Sequence, residues 1–156
     1  MSGLVRARTG LIRGLEVLVV ALIVGLALLV VVGVGFRKAG AALVWYDEVA
    51  SILLAWLTYY GAALAAVHRA HLGFPRFVQN ARGRARQVMI AIRETAVIGF
   101  FLVMAWAGWR VLGVLEGTML VGLPWMPTRI TQSVIPIGAV LFIVAELLSL
   151  VPDEST

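Results

Sequence analysis

The sequence predicts an all-α integral membrane protein with four transmembrane helices and a basic interfacial helix between the second and third spans. Three observations predict it. Of 156 residues, 62% are hydrophobic and 13% are charged, a balance that one soluble core of this length could not hide. The apolar residues come in four long blocks rather than in amphipathic stripes, so lipid is their solvent. The positive charges flank these blocks, where they meet headgroups. The net charge of +5 therefore points to anionic phospholipid and away from nucleic acid. The absence of cysteine excludes disulfides, thiolate metal sites and cysteine nucleophiles. No repeat, low-complexity tract or linker divides the chain, so residues 1–156 read as a single membrane domain.

The first block is free of charge over residues 17–36 and follows Arg6, Arg8 and Arg13. It is long enough to span a hydrocarbon core of about 30 Å at about 1.5 Å per residue. A basic start and the small residues Ala39-Gly40-Ala41 also suggest a signal peptide. The run is longer than the usual apolar region of one, so a retained span over 15–36 is expected. The second span is expected over 48–70. It opens through Trp45-Tyr46-Asp47-Glu48 and closes through His68-Arg69-Ala70-His71, aromatic and acidic groups at one interface and basic groups at the other. The third is expected over 94–115, continuing through Arg110, and the fourth over 130–151, continuing past Glu146. Pro136 falls in the early turns of the fourth helix, where a missing N–H costs least.

Residues 71–93 form the one long polar stretch. At about 100° per residue, Phe77, Val78, Ala81, Ala85, Val88, Met89 and Ile92 share one arc, with Arg82, Arg86 and Arg93 beside it. A lipid-facing helix over 76–92 lying in the headgroup plane is expected, its charge supplied by Arg76, Arg82, Arg84, Arg86 and Arg93. Gly83 is its weak point, and a solvated basic loop is the alternative. With four spans, nine arginines (Arg6, Arg8, Arg13, Arg69, Arg76, Arg82, Arg84, Arg86, Arg93) share one side, against Arg37, Lys38, Arg110 and Arg129 on the other. The heavier side is expected to be cytoplasmic, with both termini on it.

Little in the sequence carries chemistry. His68 and His71 stand together, and no histidine exists elsewhere to complete a haem site from a facing helix, so no cofactor is expected. There is no phosphate loop, no zinc-protease motif and no nucleophile elbow, which leaves enzymatic activity without a basis. Asp47, Glu48 and Arg110 share one layer, since Arg110 lies about 24 Å along its helix from Glu94. A charge at that depth calls for a partner, so Arg110 is expected to pair with Asp47 or Glu48, or to snorkel beside Trp106 and Trp109. Glu146 is expected near the opposite interface, within reach of Arg13, Arg69 or Arg93. Gly61, Ala62, Ala65 and Ala66 lie at small-xxx-small spacings that let another helix approach.

From Trp45-Tyr46-Asp47-Glu48 through Trp56, Gly61, Arg69 and His71, the chain resembles the small permease subunit of tripartite ATP-independent periplasmic (TRAP) transporters, the DctQ family. The order W-Y-D-E, then W-L-T-Y-Y-G, then H-R-A-H-L carries the resemblance. Ser133-Val134-Ile135-Pro136-Ile137-Gly138 is similar to the start of the family's last helix. The resemblance implies an inner-membrane subunit that joins a large multi-span permease subunit. A periplasmic substrate-binding protein would hand that subunit an organic anion, commonly a carboxylate, for sodium-driven uptake. It also implies a scaffold role, because four spans without an internal repeat do not make an alternating-access machine. A membrane-anchor subunit of a respiratory or other enzyme complex is the alternative, and a self-assembling channel is a third possibility.

Overall fold

A computed structural model describes residues 2–68 and 84–149 of the chain. Four helices in it are long and apolar enough to cross a membrane, and the described residues contain no strand beyond an isolated bridge between Met119 and Pro127. Helix α1 runs Ser2–Lys38 and α2 runs Tyr46–Val67. Helix α3 runs Arg84–Val114, and the fourth span is divided into α4, Thr128–Gln132, and α5, Val134–Ser149.

The end of α1 has a local cause. Gly40 adopts φ +76° after α1, and the Ala41 N–H reaches back to the Phe36 carbonyl at 3.0 Å while the Gly40 N–H bonds Arg37 at 3.2 Å. This is the Schellman closure, in which glycine takes the left-handed position without a Cβ penalty. The small residues Ala39-Gly40-Ala41 thus end a helix.

The basic segment differs from expectation. Residues 76–83 lie outside the described residues, while 84–92 are not a separate in-plane helix but the first turns of α3. No glycine or proline stands between Arg84 and Glu94, so nothing breaks the ladder where a boundary was expected. Thirty-one residues reach about 46 Å, well past a hydrocarbon core of about 30 Å. The surplus carries Arg84, Arg86 and Arg93 beyond the apolar run, with Val88, Met89 and Ile92 exposed along it.

Helices α2 and α5 form the central pair, α1 packs on α2, and α3 packs on α5. The buried cluster joins Leu15, Ala63, Ala66, Val67, Phe142 and Ala145, with Val97 and Phe101 against it. Phe101 and Phe142 stack with centroids 3.6 Å apart. Close approach of the central pair depends on Gly138, where an added Cβ would stand 2.7 Å from the Tyr59 Cβ. Gly108 likewise admits α5, since a Cβ there would meet the Pro136 nitrogen at 3.1 Å. Close backbone contact of this kind is what holds helices together in lipid, where burial of apolar area gives no advantage.

Candidate functional site

Two belts of charge bound the molecule, one at each end of the helices. The loop end gathers the close of α1, the start of α2 and residues 115–127 after α3. Arg37 comes to 4.0 Å from Asp47 and stands 5.9 Å from the Tyr46 ring centroid. Both charged groups are exposed, so this pair contributes little to stability. Tyr46 in turn packs over Gly33, where any side chain would collide with the ring.

Glu48 does more. Its Oε1 accepts the Val121 N–H at 3.1 Å and its Oε2 accepts the Gly122 N–H at 2.7 Å. A carboxylate bridging two successive amides in this way makes strong, charge-assisted bonds. Gly122 is confined by the same contact, since a Cβ there would lie 2.8 Å from both Glu48 Oε2 and Trp45 Cα. The loop it grips is ordered by itself. Leu120 N–H donates to Met126 at 3.1 Å, Thr128 N–H to Thr118 at 3.0 Å, and Glu116 pairs with Arg129 at 2.7 Å.

Arg110 does not pair with Asp47 or Glu48. Both acids are engaged as above, and the guanidinium instead lies 5.8 Å from the Trp106 ring centroid, the snorkelling arrangement. Shared depth did not mean shared place: α5 separates α3 from α2, so the start of α2 and Arg110 stand on helices that do not pack together.

Within the membrane-spanning part, the Trp56 indole N–H donates to the Thr131 carbonyl at 2.9 Å. Thr131 is buried and ends α4 next to Gln132, where the fourth span is interrupted at Ser133. A backbone acceptor at an interrupted helix needs a donor from elsewhere. Trp56 supplies it, and the Thr131 and Ser133 hydroxyls bond the Thr128 and Ile130 carbonyls in the same stretch.

At the basic end, His68 Nε2 stands 3.7 Å from Glu16 Oε1, Arg93 pairs with Glu94, and Glu146 is buried on α5. Arg84 and Arg86 are exposed. Arg69, His71, Arg76 and Arg82 lie outside the described residues. Ala65 is half-buried, whereas the neighbours Ala63 and Ala66 are in the core. Gly61 has nothing within 4 Å of where a Cβ would stand, so its small face is turned away from this chain's own helices. Among the described residues there is no group of three or more potential metal ligands.

The expected residues thus separate. Trp45 and Glu48 come together with the 115–127 loop, Asp47 faces Arg37 instead, Trp56 joins the break in the fourth span, and Arg110 and Glu146 lie at opposite ends. Sequence reasoning passed over Thr131, Gly108 and Gly122, and met Gly138 only in the resemblance of the last span's start, without its packing role. The interruption had one available signal, Thr131 and Ser133 shortly before Pro136, three residues that favour local bonding over a continuous ladder.

No curated protein matches this sequence. Residues 13–154, nearly the whole chain, match the family described as tripartite ATP-independent periplasmic transporters, DctQ component. With four membrane-spanning helices and a match of this extent, the chain belongs to the DctQ family, the small permease component of TRAP transporters.

Proposed function

We propose that this multi-pass inner-membrane protein is the scaffold subunit of a sodium-driven TRAP transporter for organic anions such as carboxylates. It would brace the large permease subunit that carries the substrate delivered by the periplasmic binding protein. The observation that carries the scaffold reading is the distribution of charge along the helices. Between Glu16 and Arg37, Glu48 and His68, Glu94 and Arg110, and Arg129 and Glu146 there is no charged or histidine side chain. Ion and proton paths are built from ionisable groups near mid-membrane, and this chain keeps its own at the two ends.

The outward faces suit a bracing role. Gly61 and Ala65 leave room for a foreign helix on α2. Trp45, Asp47 and Glu48 fix a rigid surface at the loop end. The basic residues Arg84, Arg86 and Arg93, together with Arg69, Arg76 and Arg82, would hold the basic end against anionic phospholipid on the cytoplasmic side.

Reconstitution tests this reading. The chain alone in liposomes should move no carboxylate under a sodium gradient, and co-reconstitution with the large subunit and binding protein should give uptake. Carboxylate uptake by the chain alone would overturn the scaffold role. Failure of a mild-detergent pull-down to retain a large many-span protein would remove the partner.

A further inference from the structure

The connection from α3 to α4 is recessed. Trp56 bonds Thr131 and Tyr59 meets Gly138, so α2 and the fourth span run in the same direction and heights along them compare from the second contact. At about 1.5 Å per residue, α2 begins about 20 Å above that contact and α4 about 15 Å above it. Helix α3, placed by Gly108 against Pro136, ends about 12 Å above it. Both feet of the connection therefore stand about 5 to 8 Å below the first residue of α2. Glu48, in the first turn of α2, holds Val121 and Gly122 at its own level, so the middle does not rise clear either. The headgroup layer is about 5 to 7 Å thick on each side of a bilayer. With the exposed Arg37–Asp47 pair at the water face of that layer, the connection lies toward its hydrocarbon side.

The chemistry of the segment suits that depth. Between Glu116 and Arg129 there is no charged side chain, and those two neutralise each other at 2.7 Å. The amides of Thr118, Leu120, Val121, Gly122, Met126 and Thr128 find carbonyl or carboxylate acceptors within the protein, while Pro124 and Pro127 have no N–H to satisfy. A backbone satisfied from within is what a water-poor layer requires. A loop built for water would expose polar side chains, yet Val121 is 91% exposed, Trp125 is 74% exposed and Met119 is exposed beside them. Tryptophan at headgroup depth, its ring in the apolar layer and its N–H toward water, is the usual lipid-facing anchor.

A partner helix fits this surface poorly. Close approach in the bilayer needs small residues at the contact, and Gly122, the small residue next to Val121, is closed over by Trp45. We infer that residues 117–127 form an interfacial membrane anchor. Met119, Val121 and Trp125 insert among the lipids of the loop-end leaflet, and Glu48 holds them at that depth.

The test places single nitroxides at Val121→Cys and Trp125→Cys, which the natural lack of cysteine makes direct. The labelled full chain is reconstituted in lipid nanodiscs with a cysteine-free large subunit. Accessibility to oxygen, which concentrates in lipid, is compared with accessibility to a water-soluble nickel chelate. Ala41→Cys, exposed in the connection before α2, gives the aqueous reference. At both loop positions the ratio of oxygen to nickel access should exceed that at Ala41 several-fold. Glu48→Ala should lower it toward the Ala41 value, and Gly122→Ala, which disturbs the same contact, should do likewise. Nickel access equal to that at Ala41 would put the loop in water, and exclusion of both reagents would put a protein surface over it. Either result overturns the anchor, and ratios that ignore both loop variants overturn the part given to Glu48.

Discussion

Glu48 acts on a backbone rather than on a cation, and this changes what its removal should do. Glu48→Ala removes both bonds to the Val121 and Gly122 amides, each worth about 1.5 to 3 kcal/mol when the acceptor is charged and shielded, and less at a partly exposed site like this one. The expected outcome is local. Amide exchange at Val121 and Gly122 should accelerate by about tenfold or more while the helices stay protected, and Glu48→Gln, which keeps one acceptor, should fall between. Unchanged exchange in the alanine variant would show that the loop holds itself. Gly122→Ala should loosen the same loop from the other side, because its Cβ has no room beside Trp45. The sequence marked Glu48 as important through its place at a span's start. It hid the partner, because amides in a loop have no side-chain signature, and depth along a helix suggested Arg110 without saying which helices touch.

At the scale of the helices, the spans were legible because each is a long charge-poor run, and such runs cross membranes whatever their partners. Which faces meet was not legible. Gly61 and Gly138 look alike in sequence, yet only Gly138 admits a neighbouring helix, against Tyr59. Gly138→Val should therefore overpack the α2–α5 contact and cost about 1 to 3 kcal/mol, read as a lower unfolding temperature in detergent. Gly61→Val should leave the isolated chain's stability unchanged. Tyr59→Ala combined with Gly138→Val should recover part of the loss, since neighbours in contact are not additive. Equal effects of the two valine substitutions would contradict the packing described here. The interruption at Ser133 gives a second element-level outcome. Trp56→Phe keeps the ring and removes the donor to Thr131, at about 1 kcal/mol or somewhat more for a buried acceptor left unpaired. Exchange at the start of α5 should rise, with little change at the remote Phe101–Phe142 stack.

For the whole molecule, the two belts give a prediction of orientation. Four antiparallel spans put the start of α1, the end of α2, the start of α3 and the end of α5 at one end, and the His68–Glu16 approach at 3.7 Å ties the first two together there. Of the thirteen basic residues in the sequence, the described Arg6, Arg8, Arg13, Arg84, Arg86 and Arg93 stand toward that end, and Arg69, Arg76 and Arg82 fall in the sequence between α2 and α3. Lysine and arginine in short connections are retained on the cytoplasmic side during insertion, so the basic end should face the cytoplasm. The chain contains no cysteine, which makes single-cysteine labelling with a membrane-impermeant maleimide clean. Arg86→Cys, exposed in the first turn of α3, should react only after the membrane is opened. Thr118→Cys in the exposed loop should react on intact spheroplasts. Reaction of both positions from the same side would contradict an odd number of crossings between them, and so the span formed by α3. The reverse pattern would keep the four-helix fold and invert the molecule, turning the Glu48-braced loop toward the cytoplasm, where a periplasmic binding protein could not meet it.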